Sequence, residues 1–129
     1  MLSPGTTILI PSGPPDDPNR KHLHIVVARK SGPPIQILLV SVCSMVAGYQ
    51  DPATTFVGGE HPFIVHPSYT RYSVARIDNE ADIQRGIDDG QFEIHTACSQ
   101  EMLDNVIGGF EHSRFAKPFT TKFIEDADD

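Results

Sequence analysis

Cysteine is scarce: only Cys43 and Cys98 occur in 129 residues, and they form neither a Cys-x-x-Cys pair nor a zinc-binding pattern. That excludes a disulfide scaffold and leaves two reduced, buried thiols of a cytoplasmic protein as the expectation. No run approaches the roughly 20 apolar residues of a membrane-spanning helix. The opening Met1-Leu2-Ser3-Pro4-Gly5 lacks the basic segment of a secretory signal. No glycine-rich loop follows a strand and opens a helix, so nucleotide-hydrolase chemistry is not indicated and no cofactor is expected. Positive charge is also short, with 10 Lys and Arg against 17 Asp and Glu. The net charge of −7 argues against nonspecific nucleic-acid binding by the chain as a whole.

The charge is unevenly placed. Glu125, Asp126, Asp128 and Asp129 carry −4 of the total, which leaves −3 for residues 1–124. Residues 1–77 hold Arg20, Lys21, Arg29, Lys30, Arg71 and Arg76 against Asp16, Asp17, Asp51 and Glu60, a balance of +2. A local basic face is therefore available in the first half. One domain is expected over residues 1–124, with an acidic disordered tail at 125–129.

With 11 prolines and 10 glycines the chain is rich in turns. Thr6 to Ile10 reads as a β-branched strand closed by Pro11, and Ser12 to Asn19 as a loop. His22–Arg29 and Ile35–Cys43 read as strands joined by the turn Ser31-Gly32-Pro33-Pro34, a hairpin in its simplest pairing. Ile25-Val26-Val27 and Ile37-Leu38-Leu39-Val40 lack alternation, which predicts central strands buried on both faces. Tyr49 to Thr54 is turn-like, and Thr55-Phe56-Val57 reads as an edge strand. Phe63–His66 and Thr70–Ile77 are predicted strands. Asp78-Asn79-Glu80 starts a short helix with Ile83 and Ile87 four apart and Gly90 as its stop, and Phe92-Glu93-Ile94 is a last strand. Ser99 caps a helix through Gly108 whose stripe of Met102, Leu103, Val106, Ile107 and Phe110 should lie across the barrel. The fold class expected is mainly β with minor α, a small antiparallel barrel with a C-terminal helix.

The densest chemistry is Arg20-Lys21-His22-Leu23-His24, two cations and two imidazoles delivered by a Pro-rich loop to the mouth of a buried strand. His22 and His24, two apart, share one face of that strand. An imidazole can move protons near neutral pH, and Arg20 and Lys21 can hold a phosphate. Gly58-Gly59-Glu60-His61-Pro62-Phe63 and His66-Pro67-Ser68-Tyr69 form a second cluster. Here His61, His66 and Tyr69 with Arg71 are candidates for a substrate wall that stacks a base, or else turn residues bonded to backbone. A metal site from His22, His24, Glu60, His61 and His66 is a third option, weakened because no acidic residue follows His-x-His within Val26–Lys30.

The order of elements resembles the MazF/PemK toxin family. Pro4-Gly5 with Ile8-Leu9-Ile10 matches its opening. Lys21-His22-Leu23-His24-Ile25-Val26-Val27 sits where that family commonly has Lys-Arg-Pro-Ala and an aliphatic run. Leu39-Val40-Ser41-Val42-Cys43-Ser44 sits where it has a strand ending in Pro-Val-Thr-Ser. The resemblance covers roughly residues 4–110 and implies an SH3-like barrel, a homodimer, an antitoxin protein partner and metal-independent RNA cleavage. The family's catalytic arginine falls on His22 and its threonine on Cys43, while Ser44 is retained. The expected catalytic set is then His22, His24 and Ser44, with Arg20, Lys21, Arg71, Arg76, His61, His66 and Tyr69 binding RNA. The alternative is a barrel that lost the active pair and serves as a protein-interaction module.

Overall fold

The computed structural model describes residues 1–45 and 51–128. Tyr49 and Gln50 of the expected turn, and Asp129 of the expected tail, lie outside the described residues. The chain forms β1 (Thr7–Pro11), β2 (Lys21–Lys30), β3 (Gln36–Ser44), β4 (Thr55–Phe56), β5 (Ser68–Asn79), α1 (Glu80–Asp88), β6 (Glu93–His95), α2 (Gln100–His112) and α3 (Pro118–Asp126). The fold is mainly β. Its strands make one antiparallel six-stranded sheet in the order β4-β5-β3-β2-β1-β6, so β4 and β6 are the two ends. Among the described residues no strand pair joins those ends. No helix among them is long and apolar enough to cross a membrane.

β2 and β3 pair as the hairpin expected from their spacing, and both are buried on two faces. On one face Leu9, Leu23, Ile25, Val40, Val42 and Tyr72 pack under Met102, Leu103, Val106 and Phe110 of α2 and Phe123 of α3. On the other, Ile8, Ile10, Val26, Ile37 and Leu39 pack with Leu2 and with Ile83 of α1. α1 covers only part of this second face. Beyond it the rows turn polar, and the candidate site lies there.

Ser99 caps α2 as expected, its hydroxyl accepting from the Met102 amide at 3.1 Å. Phe63–His66, expected as a strand, is instead part of a loop that turns through Gly58 and Gly59 at positive φ. Its apolar residues imitate a strand in the sequence, but only Ile64 enters the core. The expected disordered tail is likewise corrected. Glu125 and Asp126 finish α3, and the Asp128 carboxylate accepts from the Ser31 hydroxyl at 2.6 Å while its amide donates to the Arg29 carbonyl at 2.9 Å. Asp128 is thus pinned to the β2–β3 turn. The signal for α3 was Pro118 at a first-turn position followed by Thr120, Phe123 and Ile124 at helical spacing.

Candidate functional site

The polar part of the second face is built by cross-strand register. Ile8 lies opposite His24, His24 opposite Ser41, and Ser41 opposite Arg71. Arg76 lies opposite Leu39. Arg71 and Arg76 are five apart, which in a regular strand would put them on opposite faces. Here β5 carries an irregularity that sets them against β3 residues only two apart, so both guanidiniums come to the same face. They line a cavity of about 220 Å³ with Ser12, His22, His24, Ser41, Cys43 and Val74.

A second, larger cavity of about 450 Å³ adjoins it and shares His22. Arg20, Lys21 and Ser44 form one side, and Pro62, Phe63, Val65 and His66 of the loop form the other. The structure therefore brings Ser44 and His66 to His22 in one cavity, and His24, Arg71 and Arg76 to His22 in the other. His24 and Ser44 do not line a common cavity.

Both imidazoles are held neutral. His24 is 7% exposed, and burial is the main cause that pushes its pKa down to about 4. The charges of Arg76 and His22 act in the same direction, and the hydrogen bond to the His22 carbonyl opposes them. That bond runs from Nδ1 at 3.0 Å, which leaves Nε2 as an acceptor. His22 is half-buried, and its pKa is lowered by burial and then by Arg20 and Arg71. The Ser12 hydroxyl donates to the Ile10 carbonyl at 3.1 Å, so its oxygen accepts from His22 Nδ1 at 2.8 Å and again frees Nε2 as a base. The Cys43 thiol beside them is pushed up by burial, against opposing hydrogen bonds from Ser41 and Arg71, so it is no ready nucleophile.

The cations differ in their freedom. Arg76 pairs with Asp78 at 2.7 Å, without an aligned hydrogen bond to that oxygen, and Lys21 pairs with Glu93 at 3.8 Å. Among the described residues no carboxylate lies within ion-pair distance of Arg20 or Arg71.

Two members of the expected substrate wall are corrected. Tyr69 is buried in β5 between Cys43 and Thr55, and it lines neither cavity. His61 is 2% exposed, with both ring nitrogens facing partners inside the protein, so it presents no surface to a ligand. Glu60 accepts from the amides of Val57 and Gly58 at 2.8 Å each. Among the described residues no group of three or more His, Cys, Asp or Glu is placed to hold a metal ion. Sequence reasoning missed Ser12 and Ser41 as members of the site, and it set Cys43 at the resembled family's threonine position without counting it among the site residues. For Ser41 and Cys43 the signal was their alternation on the His22 and His24 face once the hairpin is drawn. No family model, no curated protein and no solved structure matches this chain.

Proposed function

We propose that the face around His22 binds the phosphate backbone of single-stranded RNA and that the protein is a toxin-type endoribonuclease of the cytoplasm that needs no metal. One observation carries this reading. Two guanidiniums without carboxylate partners among the described residues, Arg20 and Arg71, converge on a half-buried neutral imidazole in a chain whose net charge is −7. Uncompensated positive charge in an acidic protein fits a bound anion.

The chemistry follows from the groups present. The 2′-oxygen attacks the adjacent phosphorus as its proton passes to His22 Nε2, and the P–O5′ bond breaks to leave a 2′,3′-cyclic phosphate. The imidazolium so formed returns its proton to the departing 5′-oxygen. Arg20, Lys21 and Arg71 stabilise the crowded phosphoryl oxygens, and the Ser44 hydroxyl donates to one of them. His24 keeps the strand face polar beside His22, and its depressed basicity makes it the weaker base of the pair.

The test incubates the protein with a mixed RNA pool in EDTA beside His22→Ala. Cleavage by the wild type and its loss in the variant are expected. RNA bound but uncut by folded wild type would overturn the catalytic part and leave an RNA-binding protein, whereas no RNA bound or cut would favour the protein-interaction module. Exposure of Val65 (69%), which lines the larger cavity, and of Val57 (82%) supports that second reading. A homodimer and a cognate antitoxin as partner belong to the first reading, and light scattering on the purified chain tests the dimer.

A further inference from the structure

The loop from Gly58 to His66 walls the larger cavity, yet Ile64 is its one member in the main apolar cluster. Its shape is set by backbone bonds, Gly59 N–H to the Ile64 carbonyl at 2.7 Å and Ile64 N–H to the His61 carbonyl at 2.9 Å. Its last residue is tied to β5 by the Ser68 hydroxyl, which donates to the His66 carbonyl at 2.9 Å, and its middle is attached to the sheet through the His61 side chain. Nδ1 accepts from the Phe63 amide at 3.0 Å, so it carries no proton. Nε2 therefore holds the single proton and donates to the Thr96 carbonyl just past β6. Thr7 of β1 donates to the same carbonyl at 2.6 Å and lies 3.5 Å from Nε2. One neutral tautomer satisfies every partner.

We propose that His61 is a positioning residue: its neutral imidazole fastens the Gly58–His66 loop as a wall of the cavity, and a proton on it releases that wall. A second proton would sit on Nδ1, donor against the Phe63 N–H. The resulting charge would also find no carboxylate. Glu60, the adjacent acid, is turned to the Val57 and Gly58 amides. Thr7 and Thr96 offer only neutral groups. The titratable neighbour is His95 of β6, whose ring lies 5.1 Å away with Phe63 edge-on to it at 5.9 Å. Burial lowers the His61 pKa, His95 adds to the effect, and the bond to Thr96 opposes it. The direction is clear. A depressed folded pKa makes the loop's attachment complete above the ordinary value of 6.5 and weakens it as pH falls from there toward the depressed value.

The test is amide hydrogen exchange on the full chain, corrected for intrinsic rates, at pH 7.5, 6.5 and 5.5. Protection at Phe63 and Ile64, relative to Val40 in β3, is expected to fall by up to about tenfold per pH unit below pH 6.5. In His61→Asn the new Oδ1 can take the Phe63 amide as an Asx turn and does not titrate, so loop protection should persist and lose its pH dependence. His61→Ala should lose about tenfold or more of that protection at every pH. Flat wild-type protection across this range would overturn the proposal, and so would a His61→Asn profile that tracks the wild type. Only its effect on affinity rests on the RNA-binding reading, so RNA anisotropy is measured on the same samples. Loop release with unchanged RNA affinity would refute positioning of the site and leave the cationic face standing. Absence of RNA binding at any pH would refute that face, while exchange still decides the role of His61.

Discussion

Replacing Gly109 by alanine sets two effects of opposite sign against each other. Alanine is favoured over glycine inside a helix by about 1 kcal/mol. At Gly108 that preference acts alone, because an added methyl meets nothing within 4 Å, and Gly108→Ala should stabilise by about 0.5–1 kcal/mol. At Gly109 the methyl would overlap the Tyr72 hydroxyl and Thr54 Oγ1. Tyr72 is fully buried, donates to the Val106 carbonyl at 2.7 Å and meets Thr54 Oγ1 at 2.8 Å. Overpacking costs about 1–3 kcal/mol, and the two hydrogen bonds are worth about 1 kcal/mol each. Less the propensity gain, Gly109→Ala should destabilise by about 2–4 kcal/mol. Urea unfolding of both variants reads the difference directly, and a thermal melt should show Gly109→Ala about 10 °C lower. Tyr72→Phe should relieve part of the overlap, giving a coupling of about 0.5 kcal/mol or more in a double-mutant cycle. If Gly109→Ala matched or exceeded the wild type, the close seat of α2 on Tyr72 would be refuted.

Three further outcomes are expected. His24 is neutral in the folded protein, so the stability it lends is complete above about pH 6.5 and falls toward pH 4, by about 3 kcal/mol over the shift to about 4. His24→Gln should flatten the urea midpoint across that range, and an unchanged slope would contradict the buried assignment. With Arg20, Lys21 and Arg71 on phosphate, log affinity for single-stranded RNA should fall with log salt at a slope of about −2, and Arg71→Ala should make it shallower by about a third in an anisotropy titration. Burial pushes the Cys98 thiol from its ordinary 9.0 up to about 11, so its iodoacetamide labelling should run about a hundredfold slower than that of an exposed cysteine. Labelling at the rate of a free thiol, followed by mass spectrometry, would refute that environment.

Local chemistry and periodicity determined much of this protein by themselves. The aliphatic runs of β2 and β3, the short turn between them, the Ser99 cap and the α2 stripe are local signals, and each element formed where its residues direct. The polar face of β2 was equally legible, because alternation alone puts His22 and His24 side by side. What completes the site was not legible. Arg71 and Arg76 share a face only through the irregularity in β5, and no spacing rule forecasts it. His61 and Glu60 read as available ligands in the sequence, yet long-range packing against Thr7 and Thr96 buries the one, and a tight turn occupies the other. The acidic end of the chain reads as disordered from its composition, while Asp128 is held by Ser31, which is 97 residues away. Local pattern decides which residues form strands and helices. Register and burial, which depend on partners distant in sequence, decide which of their side chains meet.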